Sequence, residues 1–349
     1  MGLQLNLNLE RGIKMKITCI GGGAWGTTLS QVLSDNQHEV LIRDINRHFV
    51  DKINTTHTHP FFDTTIPANI RATVSLEEAI NFSDIILLSV PTKVTRQVLK
   101  EINALLNTPK IFINVSKGIE PETSFCVSQI VEEEIEVQYL KGYVNLSGPS
   151  HAEELILRKL TSLVAASKDL ELAKFVQNLF SNDHYLRVYT STDVIGVETS
   201  GAIKNAIAII SGVAYGMGLG ENARAFLISR GVREIVLIVS ALGGKKETAY
   251  GLSGIGDLIV TASSMNSRNF QCGLKIGQGM SVEEALASME QTVEGIKTIK
   301  AAYQIGQKYN LELPMIYVAY EVIHGKVTAK EALNQLLSRS LKEEVILVN

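Results

Sequence analysis

The tightest constraint on this chain lies near its start. Gly21-Gly22-Gly23-Ala24-Trp25-Gly26 directly follows the apolar, β-branched run Lys16–Ile20 and opens a helical stretch. Gly21, Gly23 and Gly26 fall on the spacing G-x-G-x-x-G. In that pattern the first glycine makes a tight turn and the second lets backbone approach a pyrophosphate. The third lets the helix pack close to the strand, and the helix N-terminus faces the phosphates. Glycine-rich turns also occur for structural reasons alone, so context decides. Here strand, turn, helix and a second strand, Glu39–Arg43, follow in order within about 30 residues, as a dinucleotide-binding unit requires.

The unit is read as the start of a Rossmann domain. Its second strand runs into Arg43-Asp44, and Asp44 stands 18 residues past Gly26. An acidic side chain near that place holds the ribose 2′-hydroxyl of NAD. Arg43 and Arg47 are close enough to offer a 2′-phosphate a partner, which keeps NADP(H) open. Strand alternation, however, points Arg43 away from the face that carries Asp44. The expected cofactor is therefore NAD(H) or NADP(H), with Asp44 favouring NAD(H).

The first half of the chain alternates short β-branched runs with helical stretches, the pattern of a parallel sheet wrapped by helices. Strands are expected at Lys16–Ile20, Glu39–Arg43, Ile85–Val90, Ile111–Val115, Val144–Leu146, Leu163–Ala166 and Tyr185–Val188. Helices are expected near 25–35, 76–80, 94–106, 123–138 and 169–180. After about Asp193 strand-like runs disappear. Long periodic segments follow near 194–217, 222–242, 267–278, 281–288, 292–309 and 328–338. The reading is an α/β Rossmann-type domain over 15–192 and an all-helical, substrate-binding domain over 193–349. Residues 1–14 read as a poorly ordered extension or an upstream start, because Met15 stands just before the first strand.

A length of 349 residues suits two domains. With 45% hydrophobic and 20% charged residues the chain has the makings of a sizeable core. A net charge of −3 gives no positive field to draw it to nucleic acid or anionic lipid. Cys19, Cys126 and Cys272 are far apart and form no C-x-x-C pair, which suits a reducing compartment. No apolar run approaches the roughly 20 residues of a membrane span. The start, MGLQLNLNLERGIKM, lacks a secretory pattern, so the expected address is the cytoplasm.

Several spaced motifs carry a resemblance. They are Gly21–Gly26 with Thr27, Ser116-Lys-Gly-Ile-Glu120, Ser147-Gly-Pro-Ser-His-Ala-Glu153, Val194-Ile-Gly-Val197 and Gly201-Ala-Ile-Lys-Asn205. Asn222-Ala-Arg224, Gly254-Ile-Gly-Asp-Leu258, Asn266-Ser-Arg-Asn269 and Val293-Glu-Gly295 complete the set. In this order and spacing the chain, from about Met15, resembles the bacterial-type NAD(P)-dependent glycerol-3-phosphate dehydrogenases. The resemblance implies that Lys204 transfers the proton and that Lys117 meets both cofactor and substrate. It implies substrate contacts from Gly148, Ser150, Asp257, Ser267, Arg268 and Asn269. It places Ala24, Trp25, Ala152, Arg268 and Glu294 against the cofactor. It further implies hydride transfer to C2 of dihydroxyacetone phosphate, a role in glycerophospholipid supply, and a homodimer. Two segments depart from the pattern. Arg43-Asp44-Ile45-Asn46 lacks the basic residue many relatives place after it. Glu198-Thr199-Ser200 replaces a smaller, more apolar run and would alter helix packing near the site.

The residues also speak without the family. On a helix, Val197, Gly201, Lys204, Ala208 and Ser211 share one stripe, and small neighbours leave room beside the Lys204 ammonium. A snorkelling surface lysine is the ordinary alternative. Lys117 sits just past a strand end, where open α/β sheets bind ligands, and a solvated loop lysine is the bland alternative. Two lysines near one carbonyl would depress each other's pKa. Ser150 would cap a helix, present that N-terminus to a ligand, or do both. Asn266–Asn269 reads as a helix start whose arginine and free N–H groups would cradle a phosphate, or as a solvated cap. Asp257 is a turn residue or an orienting partner for a lysine. His57 and His59 have metal-like spacing but no further ligands, and read as a polar loop, so no metal site is expected. Cys272 lacks a nearby histidine. Glu132–Glu134 reads as a solvated helix face. Two other readings fit the same residues: a hydroxy-acid or sugar-acid dehydrogenase of the same architecture, and a dinucleotide sensor without catalysis.

Overall fold

The computed structural model describes residues 13–289, 292–341 and 343–344. Most of the expected N-terminal extension, residues 1–12, lies outside the described residues. The first unit is β1 (Lys16–Ile20), α1 (Ala24–Asp35) and β2 (Glu39–Arg43). Next come α2 (Arg47–Thr56), a small hairpin of β3 (Thr58–His59) and β4 (Phe62–Thr65), and β5 (Arg71–Thr73). The chain continues through α3 (Leu76–Phe82), β6 (Ile85–Leu88), α4 (Thr92–Asn103), β7 (Lys110–Asn114) and α5 (Val127–Glu134). It then forms β8 (Leu140–Ser147), α6 (Ala152–Leu155), β9 (Thr161–Ala166), α7 (Leu170–Phe180) and β10 (Leu186–Ser191).

These strands make one sheet in the order β10-β9-β8-β7-β6-β1-β2-β5, with β3 and β4 apart. Alternation sends successive side chains to opposite faces. Ile85 and Leu87 enter one core cluster, while Ile86 and Leu88 enter another on the far side. The continuously apolar strands are therefore covered on both faces. The expected parallel sheet is found with one antiparallel pairing, that of β8 with β9. A parallel return requires a crossover helix of some length. The link 148–160 carries only the single turn of α6 and brings the chain straight back.

From Val194 on, the chain is helical. The elements are α8 (Val194–Gly216), α9 (Gly220–Ala241), α10 (Asp257–Ala262), α11 (Arg268–Gly277), α12 (Val282–Ala287), α13 (Gly295–Lys308), α14 (Pro314–Ile323) and α15 (Ala329–Leu337). The Gly- and Ser-rich connection before Asp257 is a π turn, Leu252–Gly256, that runs directly into α10. Helix α14 gave no periodic signal because its residues are nearly all apolar. Pro314 starts it, and the buried Glu234 carboxylate on α9 accepts the N–H groups of Met315 (2.7 Å) and Ile316 (3.1 Å).

Helix α8 is the axis of this half and packs against α9, α10, α11 and α13. It is long and apolar enough to cross a membrane by length and composition, with 89% of its most apolar window buried within the protein. The sequence reading saw no such run because Glu198 and Lys204 interrupt it. Helix α11 crosses α8 in direct backbone contact. An added Cβ would lie 2.2 Å from the Phe270 carbonyl oxygen at Gly212, and 2.1 Å from that of Ile209 at Gly273. This seam fixes how close the start of α11 comes to Lys204. Gly273→Ala is expected to force the helices apart at a cost of about 1–3 kcal/mol, seen as a lower thermal midpoint. An unchanged midpoint would contradict the close crossing.

Candidate active site

The turn after β1 is built on glycine. Gly21 has φ 105°, and its N–H donates to the Arg43 carbonyl at 2.9 Å. A Cβ on Gly26 would fall 2.0 Å from the Gly21 carbonyl oxygen, so only hydrogen fits there. Gly23 differs, since a Cβ on it would meet nothing within 4 Å. It is the N-cap of α1 and has no side chain to occupy the helix N–H groups. Open space in front of an uncapped helix N-terminus is what a pyrophosphate needs. Trp25 Nε1, Arg43 Nε, Thr92 Oγ1 and Ser147 Oγ are buried without a hydrogen-bond partner. Buried polar atoms are normally paired. Four orphans at or just past the carboxyl ends of β1, β2, β6 and β8 fit a polar ligand lying across that edge.

Asp44 holds the turn itself. One carboxylate oxygen accepts the Gly22 N–H and the other the Asn46 N–H, each at 2.7 Å. His59 supports the turn from behind. Its Nε2 lies 2.8 Å from the Gly22 carbonyl, and its ring packs against Phe49, Phe61 and Phe62. The polar-loop expectation for the His57–His59 segment is thus corrected at His59, which is buried on β3. Its aromatic neighbours carried the signal, and the unremarkable spacing of Phe61-Phe62 hid it.

The chemical centre lies where β7, β8 and α8 meet. Lys204 Nζ is 2.9 Å from Asp257 Oδ1 and 2.6 Å from Thr261 Oγ1. Lys117 Nζ is 2.7 Å from Asp257 Oδ2 and 2.9 Å from the Gly148 carbonyl oxygen. One carboxylate, fully buried at the start of α10, therefore bridges two lysines from different parts of the chain. Burial, opposed by the Asp257 charge and reinforced by Lys117 and Arg268, brings the Lys204 ammonium down to about 8. Burial pushes the Asp257 carboxyl up, but Lys117 and Lys204 together outweigh it and hold it below its ordinary value.

The remaining candidates divide. Ser267 caps α11 by accepting the Phe270 N–H, and Arg268 begins that helix in the field of Glu153 and Glu294. Asn269 is committed: it donates to Asn205 Oδ1 and accepts the Gly295 N–H, both at 2.9 Å. Asn205 in turn donates to the Lys117 carbonyl at 3.3 Å, so loop, α8, α11 and α13 are laced together. Glu294, the N-cap of α13, faces the Thr92 N–H at the start of α4. Ala152 is the first residue of α6. Ser150 does not cap that helix: its hydroxyl donates to the Gly148 carbonyl at 3.0 Å, and His151 is the N-cap. Cys272 is buried in the helical core with its thiol pushed up to about 11 by burial, and is no nucleophile. Thr261 and Asn205 were not among the residues expected to form the site. Thr261 is found only by seeing that one turn of α10 carries it from Asp257 to the same ammonium.

The family descriptions for the N-terminal and C-terminal parts of NAD-dependent glycerol-3-phosphate dehydrogenase match residues 16–173 and 193–334. The chain belongs to the NAD-dependent glycerol-3-phosphate dehydrogenase family. It is 59% identical over 332 residues to the glycerol-3-phosphate dehydrogenase [NAD(P)+] of Acholeplasma laidlawii (strain PG-8A), covering 95% of this chain and all of that one. The enzyme of the same name from Phytoplasma mali (strain AT) is 49% identical over 332 residues, with the same coverage. Among solved structures, glycerol-3-phosphate dehydrogenase from Coxiella burnetii superposes with a TM-score of 0.88 at 30% identity, covering 93% of this chain and 99% of that one.

Within this dehydrogenase framework the buried triad has a measurable electrostatic signature. Asp257→Ala would leave the Lys204 ammonium buried beside Lys117 without a carboxylate, and removing one partner of a buried pair costs about 3 kcal/mol or more. Because Asp257 titrates below its unfolded value, its stabilisation is full at neutral pH and is lost as pH falls through the folded pKa. Urea unfolding is expected to show a large deficit for the variant at pH 7 that narrows in acid. A deficit independent of pH would contradict the ion triad.

Proposed function

We propose that the chain reduces dihydroxyacetone phosphate to sn-glycerol 3-phosphate with NAD(P)H, reversibly, and that Lys204 is its proton-transferring residue. The observation that carries this reading is the buried Lys204, held by Asp257 and Thr261 and brought close to neutrality beside Lys117. A general acid works best when its pKa lies near the working pH. The proposed division of labour follows the chain: residues 15–192 bind dinucleotide and residues 193–349 close over the substrate.

Gly21, Gly23, Ala24, Trp25 and Gly26 hold the pyrophosphate and Asp44 the adenine-side ribose, with Lys117, Ala152, Arg268 and Glu294 completing the cofactor's surroundings. The bound reduced cofactor supplies hydride. Lys204 delivers a proton to the C2 oxygen as that oxygen becomes an alkoxide, and the Lys117 charge stabilises it electrostatically. Asp257 holds both ammonium groups in place and does not itself transfer the proton. Arg268, which has no hydrogen-bonded partner among the described residues, meets the substrate phosphate together with the first N–H groups of α11. Ser267 and Asn269 shape that end of the helix, Asn269 through its bonds to Asn205 and Gly295. Gly148 and Ser150 line the facing wall. After reduction, Lys204 recovers its proton from solvent.

Such a product supplies glycerophospholipid synthesis, and a cytoplasmic homodimer is the proposed setting. Asp44 at the end of β2 supports NAD(H) over NADP(H).

The direct test is loss of reduced-nicotinamide absorbance on adding dihydroxyacetone phosphate, with NADH and NADPH in parallel. Oxidation of NADH at the higher rate is expected. Lys204→Ala is expected to lower turnover about a thousandfold with cofactor binding retained. Arg268→Ala is expected to raise the triose phosphate KM by about tenfold or more, the scale of a lost charge-assisted bond. Near-normal turnover in the Lys204 variant, or no oxidation by cofactor-bound wild type, would overturn the assignment.

A further inference from the structure

Glu198 is a buried carboxylate with no basic partner. It lies on the second turn of α8, 5% exposed, with no Lys or Arg in contact among the described residues. Every hydrogen bond it makes comes from the other half of the chain. Its Oε1 accepts the Ser128 N–H at 3.0 Å and the Tyr143 hydroxyl, and its Oε2 accepts the Ser128 hydroxyl. Ser128 is the second residue of α5, so the carboxylate also meets the positive end of that helix. Tyr143 is on β8, the strand that ends at Ser147 and leads to Gly148.

A buried charge held only by neutral donors is costly, so keeping a carboxylate at this place lowers stability. The arrangement has a geometric consequence. Glu198 precedes Lys204 by six residues, about 9 Å along the helix axis. The two side chains leave α8 in widely different directions, since six residues amount to about one and two-thirds turns. A helix fixed at Glu198 against α5 and β8 can neither slide nor rotate about its axis. That fixes where Lys204 stands relative to Lys117 and Gly148, which hang from β7 and β8. Asn205 restrains the same helix through the Lys117 carbonyl. Asp193, the N-cap, ties its start to the Lys245 N–H at 2.9 Å and to Thr248.

We propose that Glu198 is a positioning residue of the dehydrogenase reaction, clamping α8 to α5 and β8 so that Lys204 is held in register with Lys117. The proposal rests on the reading of Lys204 as the proton-transferring residue. It also changes the meaning of the Glu198-Thr199-Ser200 departure: the segment builds an interdomain anchor. The ionised carboxylate accepts three donors in charge-assisted bonds, and protonation would weaken them. Burial pushes the carboxyl up to about 7, against the pull of Ser128 and Tyr143 and with Glu132 adding to the rise. Cys126 and Tyr143 also face it, and both are pushed upward chiefly by burial, so neither supplies a charge near neutrality. The clamp is therefore complete above about pH 7 and loosens below it.

The test uses Glu198→Gln, which keeps size and one acceptor oxygen, with Tyr143→Phe as a milder variant that deletes a single donor. Each is measured as the full-length protein in three ways: the Lys204 titration followed by NMR of labelled lysine without substrate, cofactor binding, and kcat with KM. The expected result for Glu198→Gln is a displaced Lys204 midpoint and a roughly tenfold lower kcat, with cofactor affinity and KM within about twofold of wild type. Tyr143→Phe is expected to fall between, and the double variant to be no worse than Glu198→Gln. An unchanged Lys204 midpoint in folded Glu198→Gln overturns the clamp, even if thermal stability drops. Because that titration needs no turnover, it decides the positioning role separately from the substrate assignment, which the wild-type assay decides.

Discussion

The structure depends on one carboxylate with two cations. Asp257 is fully buried and accepts from Lys117 on one oxygen and Lys204 on the other. A buried carboxylate or ammonium standing alone costs several kcal/mol, so each buried group of the triad is stabilised by its partners. The consequence is positional. Lys117 hangs from the loop after β7, Lys204 from α8 and Asp257 from the start of α10, and the ion triad is satisfied only when all three elements meet. Docking the two halves of the chain and assembling the site thus rest on the same contacts. The charge arrangement also settles which group is labile. Asp257 stays ionised, while Lys204, the more deeply buried lysine, is left close to neutrality.

The scaffolding around the triad is close-packed backbone. The glycines of α8 and α11 remove the side chains that would separate the helices, so the Arg268 end of α11 and the Lys204 stretch of α8 share one wall. On the opposite side, Gly21 and Gly26 let α1 settle against the sheet, and Gly23 leaves clear space at the helix N-terminus. Small residues at these positions trade conformational freedom and core volume for proximity. The polar orphans, Thr92 and Ser147 among them, lie along the same edge, where buried polar groups call for a partner.

Much of this was legible in the chain. The glycine spacing between β1 and α1 foretold the tight turn and the close helix because both depend on local backbone geometry, which short sequence reports directly. The alternation of β-branched runs with helices located the sheet, and the switch to helical periodicity after Asp193 located α8. What stayed hidden depends on distant contacts. The antiparallel β9 follows from the shortness of α6, and α14 has no polar face from which a period could be read. His59 looked like a loop residue until its ring was seen against Gly22. Asp257 read as a turn residue or a lysine partner, and only the fold shows it serving two lysines at once. Thr261 carries no sequence signal, since a threonine one helical turn from an aspartate is commonplace.

The proposed chemistry requires Lys204 to carry its proton at neutral pH and to give it up readily. The measurement that meets this claim most directly is the pH dependence of kcat/KM for dihydroxyacetone phosphate reduction, in wild type and in Asp257→Asn. In the wild type a decline is expected as pH rises through about 8, where Lys204 loses its proton. In the variant the decline is expected at lower pH, because the Asp257 charge is what opposes the burial and the Lys117 repulsion. A wild-type profile that stays level well past pH 9, or an unmoved decline in the variant, would contradict it.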